Sequence, residues 1–170
     1  MASTSSNPLV TLRSSDGQEF IIPKSAAVLS GTIKNMLEEG FGDSVIPILN
    51  VDGKTLAKII AYLNEHGSGN HMSDEKKKDF DGEFLSQQEI TDLFEIVMAA
   101  NFLNIKELMD TVCQKIADIM KNKSVKWVRK TFNIVNDFTP EEEQQIRDEH
   151  AWAWEDVEPD EDDDDIIQDN

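Results

Sequence analysis

The residue types that most often carry out chemistry in proteins are few in this sequence and are not grouped as a reactive site requires. Two of the three histidines, His66 and His71, lie close in sequence to Asp74 and Glu75. Imidazole and carboxylate groups are metal ligands, but they bind tightly only when a rigid surrounding shell orients them. The Gly- and Ser-rich segment around these histidines offers no such shell. We therefore expect neither histidine to bind a metal.

The single cysteine, Cys113, lies on the apolar stripe of a predicted helix, and we expect an inert, packed thiol. The acidic run 160–165 lacks the glycine turn and terminal glutamate of an EF-hand calcium loop. A glycine-rich phosphate loop, a nucleophile elbow and paired metal-binding cysteines are all missing from the sequence. We therefore expect a protein that is not an enzyme, with no metal, no cofactor and no small-molecule substrate.

The charge distribution argues against other classes of partner. The formal net charge is −18 over 170 residues; residues 155–170 carry ten acidic and no basic side chains, and residues 1–154 carry 24 acidic and 16 basic ones. Nucleic acids and anionic membranes require a cationic surface, so we expect neither as a partner. A transmembrane run of about 18 apolar residues and a signal peptide are both missing, and one cysteine favours a reducing compartment.

The first half of the sequence predicts mixed α and β structure. Residues 9–13 alternate as a strand should, and residues 19–22 form a second short apolar run. Ser15, Asp16 and Gly17 between them favour a hairpin turn. Short helices follow at 26–29 and 32–37, and Ser30 is the expected cap of the second. A strand at 45–49 comes next, and its Pro47 places it at a sheet edge. The spacing of apolar residues from position 56 to 63 predicts an amphipathic helix capped by Asp52.

The second half is predicted to be mainly helical. Residues 67–79 lack periodicity and predict a flexible loop. Ser86 with Glu89, and Asn104 with Glu107, have the spacing of capping boxes that would open two helices. The first has apolar residues at positions 90, 93, 94, 97 and 98. The second has a stripe wider than one neighbour needs, which favours a partner: Leu108, Met109, Val112, Cys113, Ile116, Ala117, Ile119 and Met120.

The last predicted helix points to protein binding. It follows a shorter helix for which Ser124 is the expected cap. The last helix starts with Thr139 as its cap and Pro140 at its first position, and it runs to residue 155. It is almost entirely polar, yet Trp152 and Trp154 stand at its end. Two tryptophans on so polar a helix either cap the core of their own domain or anchor a partner. From the residues alone, the sequence predicts an α+β domain with a helical extension that binds a protein.

Two motifs resemble one known family. The run 99–110, Ala-Ala-Asn-Phe-Leu-Asn-Ile-Lys-Glu-Leu-Met-Asp, and the run 128–143, Val-Arg-Lys-Thr-Phe-Asn-Ile-Val-Asn-Asp-Phe-Thr-Pro-Glu-Glu-Glu, look like the S-phase kinase-associated protein family, and most like its plant branch. The likeness extends from about residue 9 to residue 155. This family supplies the small adaptor of SCF-type ubiquitin ligases in the nucleus and cytoplasm.

The resemblance implies a POZ/BTB-type α/β domain followed by helices that clasp the F-box of a substrate receptor. We expect the POZ-type part at 1–66, the flexible loop at 67–79, further POZ helices at 80–122, F-box-binding helices at 123–155 and a disordered acidic tail at 156–170. Asn101 and Phe102 stand where the family has Asn-Tyr at its cullin contact. The residues that match the F-box contact are Leu108, Met109, Val112, Cys113, Ile116, Ala117, Met120, Val128, Phe132, Ile134, Trp152 and Trp154.

The sequence also departs from the family pattern. Residues 124–128 read Ser-Val-Lys-Trp-Val where relatives usually have Thr-Pro-Glu-Glu-Ile, Phe80 replaces a tryptophan, and the acidic tail is not typical. Two other interpretations stay open at this point. One is an elongin-C-like adaptor, which would lack the helices after Ser124. The other is an acidic chaperone or cation buffer built around the tail.

Overall fold

A computed structural model of the chain describes residues 8–67 and 73–158. This part of the chain divides between two compact units, Met1–Ile116 and Ala117–Asn170, and the division falls inside one helix. Its strands are β1 (Leu9–Ser14), β2 (Glu19–Pro23) and β3 (Ile46–Ile48). Its α-helices are α1 (Lys24–Ala27), α2 (Gly31–Glu38), α3 (Gly53–His66), α4 (Asp74–Ser86), α5 (Ile90–Phe102), α6 (Lys106–Met120), α7 (Val125–Thr131) and α8 (Pro140–Glu149). Short 3-10 turns occupy Phe41–Asp43 and Ala151–Trp154.

The three strands form one mixed sheet in the order β2-β1-β3. β1 and β2 pair as an antiparallel hairpin, and Gly17 takes the positive φ of 85° that the turn needs. β3 pairs parallel to β1 at the sheet edge, where the missing N–H of Pro47 costs no central ladder bond. The predicted hairpin and the predicted edge strand are both confirmed.

Helix α3 packs against the sheet and against α5, and its buried residues form much of the core of the first unit. Asp52 caps α3 by accepting a 2.9 Å hydrogen bond from the backbone N–H of Thr55, as predicted. The residues at 56, 59, 60 and 63 are all buried, which confirms the amphipathic pattern. From α5 the core receives Leu93, Ile96 and Ala100, so the two helices share one apolar interface.

Two of the predicted capping boxes are wrong. Ser86 is the last residue of α4, and its hydroxyl donates a 2.8 Å hydrogen bond to the carbonyl of Glu83. Helix α5 starts after Glu89, whose side chain makes no capping bond. Asn104 has a φ of 52° and follows the end of α5, because the backbone must reverse there before α6 begins at Lys106.

The segment predicted as a loop at 67–79 is largely helical where the structure describes it. Helix α3 ends at His66, and α4 begins at Asp74 with Ser73 as its cap, whereas residues 68–72, including His71, lie outside the described residues. The rings of Phe80 and Phe84 on α4 lie about 6 Å from the ring of Tyr62 on α3. This aromatic packing stabilises α4. The other residues of α4 are mostly polar, so the sequence shows no apolar period that would predict the helix.

His66 is part of the same aromatic cluster and does not belong to a loop. Its ring stacks on Tyr62 with a centroid separation of 4.0 Å, and its Nε2 atom lies 2.8 Å from Oδ1 of Asp81. Burial, with the nearby carboxylates of Asp81 and Glu107, raises the pKa of Tyr62. The histidine therefore joins α3 to α4 as a structural group.

Helices α7 and α8 belong to the second unit. Ser124 caps α7 with a 2.9 Å hydrogen bond from the N–H of Trp127, and Thr139 and Glu142 form a complete capping box at the start of α8. Both caps are as predicted. The predicted helix 139–155 ends at Glu149, however, and the Trp-containing residues form a separate 3-10 turn, because the backbone of His150 leaves the helical region.

Candidate partner-binding surfaces

The first candidate surface is at the end of α5, where Asn101 and Phe102 are both exposed. The phenyl ring of Phe102 has a relative exposure of 37%, which is high for a large apolar residue. Two hydroxyl groups at the start of α2, those of Ser30 and Thr32, hold the C-terminal end of α5 in place. Thr32 donates to the carbonyl of Phe102 at 2.8 Å, and Ser30 donates to the carbonyl of Leu103 at 2.6 Å.

Backbone contacts make the end of α5 more rigid still. The N–H groups of Gly31 and Thr32 donate to the carbonyls of Asn104 and Leu103. A Cβ atom at Gly31 would lie 2.4 Å from the side-chain amide nitrogen of Asn104, so a larger residue at position 31 would force that side chain to shift. The exposed pair at 101 and 102 therefore stands on a support fixed by another helix.

Met98 extends this surface and was not recognised from the sequence. The spacing placed Met98 on the apolar face of α5, but it is 71% exposed and lies one helical turn before Phe102. Beside it, a groove of about 290 Å³ runs between the start of α3 and α5, with Phe94 and Ala99 among its walls. The sequence did contain a signal for this, because Met98, Asn101 and Phe102 are spaced so that all three lie on one helix face.

The predicted contact stripe on α6 is divided between the core and the surface. Leu108 and Val112 are fully buried in the first unit, and their contact with a partner stays a prediction. The tertiary contacts of α6 turn these two residues inward. The other members are half-buried or exposed: Met109, Cys113, Ile116, Ala117 and Met120.

Cys113 is exposed, so the predicted packed thiol is a wrong prediction. It follows the buried Val112, and one step along a helix rotates a side chain by about 100° away from the core. The apolar stripe of α6 therefore has a buried part, which includes Val112, and an exposed part, which includes Cys113.

The second unit has no buried side chain among its described residues, 117–158. Several of its large apolar residues are exposed, and sequence reasoning gave Val135 and Phe138 no role although Val135 is 82% exposed. Of the residues predicted to contact an F-box, Ile134 is exposed and Val128 and Phe132 are half-buried. So much apolar surface on a small unit is typical of a protein-binding surface.

The two terminal tryptophans lie in different environments. Trp152 is 72% exposed, and its ring stands edge-on to the ring of His150, with the two centroids 6.5 Å apart. Trp154 is half-buried, and the guanidinium carbon of Arg147 lies 5.6 Å from its ring centroid. Neither tryptophan caps a buried core, because residues 117–158, the described part of the second unit, contain no buried side chain.

An ion pair, rather than a buried core, connects α7 to α8. Arg129 donates a 2.6 Å hydrogen bond to Oε1 of Glu143, and the amide of Asn136 lies 3.4 Å from the same carboxylate. The hydrogen bond from Arg129 lowers the pKa of Glu143. In the same way, the backbone and hydroxyl of Thr139 lower the pKa of Glu142.

Neither a metal-binding cluster nor a membrane-spanning helix is found among the described residues. Within 8–67 and 73–158, no three His, Cys, Asp or Glu side chains are grouped so that they could hold a metal ion. In the same part of the chain, every helix is too short or too polar to span a bilayer. The features that stand out are the exposed apolar surfaces of the two units.

Comparison with known proteins agrees with a protein-binding module of two parts. A family model described as "Skp1 family, tetramerisation domain", the POZ part of that family, matches residues 8–68. A second model, described as "Skp1 family, dimerisation domain", matches residues 106–153. The α+β fold with a POZ-type domain and a helical extension, as expected from the sequence, is thereby confirmed.

Full-length relatives support the same assignment. SKP1-like protein 1 of Oryza sativa subsp. japonica is 41% identical over 174 residues, covering 91% of this chain and 100% of the relative. SKP1-like protein 11 of Arabidopsis thaliana is 43% identical over 152 residues, covering 88% and 99%. The SCF ubiquitin ligase complex protein SKP1a of Dictyostelium discoideum is 44% identical over 155 residues, covering 85% and 95%. The chain belongs to the Skp1 family.

Proposed function

We propose that this protein is an adaptor subunit of an SCF-type cullin-RING ubiquitin ligase that links F-box substrate receptors to the cullin scaffold. The observation that carries the proposal is the 44% identity to an SCF ubiquitin ligase complex protein across 95% of that relative. The exposed apolar residues in both units are consistent with it, because an adaptor needs one surface for each of two partners. An adaptor of this kind presents substrates without taking part in the chemistry.

The end of α5 is the proposed cullin contact. Asn101 offers an amide and Phe102 an apolar ring on a support that α2 holds in place, so little conformational entropy is lost on binding. Phe102 lacks the hydroxyl of the tyrosine usual in the family, so its contribution to binding is apolar. Met98 lies on the same helix face and adds apolar area.

The F-box receptor is proposed to contact the exposed side of α6 and the apolar residues of the second unit. On α6 these are Met109, Cys113 and Ile116 from the first unit, with Ala117 and Met120 from the second. The remaining proposed contacts are Val128, Phe132, Ile134, Trp152 and Trp154. Trp152 is the strongest anchor candidate, because a large exposed aromatic ring gains most when an interface desolvates it.

The presence of α7 and α8 argues against the elongin-C-like alternative, which would lack helices after Ser124. We further propose that the protein acts in the nucleus and cytoplasm and that nucleic acids, membranes and small molecules are not its partners. The net charge of −18 supports the part of this proposal that concerns polyanions.

Co-purification of the full chain with one F-box protein and with the amino-terminal part of a cullin tests the proposal. An adaptor should form a ternary complex in which receptor and cullin elute together only when this chain is present. Binding of the receptor alone would contradict the cullin half of the proposal, and binding of neither would contradict both halves.

A further inference from the structure

A small cavity lies between the end of α3 and the starts of α4 and α6. Its volume is about 110 Å³, which is room for one small ion or several water molecules. Tyr62 and His66 line it from α3, Lys77 lines it from α4, and Lys106 and Glu107 line it from α6. All five residues belong to the first unit, and none of them is a proposed partner contact.

Two buried polar atoms belong to the wall of this cavity. Tyr62 is 2% exposed, and the side chain of His66 is 3% exposed. Among the residues that the structure describes, neither the hydroxyl of Tyr62 nor Nδ1 of His66 has a hydrogen-bond partner. An unpaired polar atom in a buried position is unfavourable, so a molecule that pairs with both atoms would be bound favourably.

The contact of His66 with α4 determines what its Nδ1 atom needs. Nε2 lies 2.8 Å from Oδ1 of Asp81, and an ionised carboxylate only accepts hydrogen bonds. In the neutral imidazole, Nε2 therefore carries the proton and Nδ1 has a lone pair that needs a donor. The hydroxyl of Tyr62 is a donor, and burial raises the pKa of Tyr62, so this hydroxyl keeps its proton. The ligand must therefore both donate and accept a hydrogen bond.

The charges around the cavity favour an anion. The ammonium groups of Lys77 and Lys106 face one carboxylate, that of Glu107, and neither lysine forms an ion pair with another described residue. Ile105 precedes α6 and its apolar side chain cannot cap the helix, so the first N–H groups of α6 add positive potential here. Glu107 is exposed, and water screens its repulsion.

We propose that this cavity binds inorganic phosphate in its hydrogen phosphate form. The P–OH group donates to Nδ1 of His66, an unprotonated oxygen accepts from the hydroxyl of Tyr62, and Lys77 and Lys106 balance the negative charge. The bound ion would connect α3, α4 and α6 and would stabilise the first unit, because it binds only the folded chain. This inference does not depend on the proposed function.

Sulfate is the most informative comparison, because it has nearly the same shape and the same charge as hydrogen phosphate but no proton to donate. An oxygen without a proton opposite Nδ1 of His66 would bring two lone pairs together in a buried site. A mismatch of this kind should lower the affinity by about tenfold or more. Carboxylates should bind weakly for the same reason.

Binding is tested by NMR titration of the free full-length chain with phosphate and with sulfate, at constant ionic strength. At about pH 8 histidine side chains are usually neutral. We expect phosphate to shift the ring nitrogen signals of His66 and the amide signals of 105–107 in a saturable way, with sulfate about tenfold weaker or worse. No response to phosphate would mean that the cavity holds water only, and equal responses to both anions would show a general charge effect. Either result would overturn the proposal.

Variants separate the site from its surroundings. Tyr62→Phe keeps the ring and should weaken phosphate binding by about tenfold or more, while the variant without phosphate should melt no lower than the natural chain, because an unpaired hydroxyl is removed. Lys106→Gln should weaken binding and Glu107→Gln should strengthen it, each by a factor of about three. The matched control is Lys78→Gln on α4, which lies outside the cavity wall and should leave binding unchanged. Unchanged phosphate affinity in both Tyr62→Phe and Lys106→Gln would refute the site.

Discussion

The guanidinium group of Arg129 on α7 donates a 2.6 Å hydrogen bond to the carboxylate of Glu143 on α8. Because the described part of the second unit has no buried side chain, this pair is one of the specific contacts that joins its two helices. We therefore expect the second unit to have low stability by itself. Charge pairing and the binding of a protein partner should both make it more ordered.

The Arg129–Glu143 pair should make α8 sensitive to acid. A carboxylate with a lowered pKa stabilises the folded state above its ordinary pKa of 4.5, and this contribution is lost as the pH falls through the lowered value. We expect amide signals of α8 to broaden or shift as the pH falls below the ordinary value of 4.5. In Arg129→Gln the Glu143 side chain should titrate at a higher pH than in the natural chain. An unchanged Glu143 titration in that variant would show that the pair is not formed in solution.

The cullin surface should be separable from the receptor surface. Asn101→Lys combined with Phe102→Lys places two charges in a contact where desolvation penalises them, so cullin affinity should fall by a factor of one hundred or so. F-box binding and the melting temperature should change little, since both side chains are exposed. The matched control is Ala61→Lys with Asn64→Lys on the exposed side of α3, which should leave cullin binding intact. Equal loss of both partners would mean that the pair at 101 and 102 supports the fold.

Trp152→Ala should weaken F-box binding by roughly tenfold or more, because it removes an aromatic anchor. The melting temperature of the free protein should barely change, since the ring is 72% exposed. Trp152→Phe keeps an aromatic ring and should retain most of the affinity, and Trp154→Ala should cost less than Trp152→Ala. A large fall in the stability of the free protein on Trp152→Ala would instead identify the residue as core.

Cys113 should be chemically accessible in the free protein. We expect N-ethylmaleimide to label this exposed thiol completely in the native state and an F-box partner to slow labelling by about tenfold or more. Cys113→Ala should change stability by less than about 0.5 kcal/mol, as for other surface substitutions. Slow labelling of the free chain would place the thiol in a packed environment.

Two glycines should respond to alanine in opposite directions. A Cβ atom at Gly67 would lie 2.5 Å from Cα of Ala26 and 2.8 Å from the carbonyl oxygen of Leu63, so Gly67→Ala should destabilise the first unit by about 1–3 kcal/mol. Gly82 lies within α4, where a Cβ atom meets nothing within 4 Å. Gly82→Ala should therefore stabilise by up to about 1 kcal/mol through helix propensity. Chemical denaturation of both variants measures the difference.

Local patterns in the sequence were sufficient for the parts of the fold that short-range physics controls. The hairpin at Gly17, the caps at Ser30, Asp52, Ser124 and Thr139, and the buried face of α3 are all present as predicted. In each case a side chain satisfies a backbone group a few residues away, or an apolar period matches the helix. Such contacts depend on neighbours along the chain and are readable without knowing the rest of the structure.

Tertiary structure alone decided which apolar residues face inward. Val112 and Cys113 were assigned to the same stripe, yet one is buried and the other is at the surface, because the packing of α6 selects one side of a wide stripe. Likewise Met98 is exposed, and the polar helix α4 is held by Phe80 and Phe84 against Tyr62. Periodicity measures how much apolar surface a helix carries, whereas only contacts between segments distant in sequence determine which part of that surface is left for a partner.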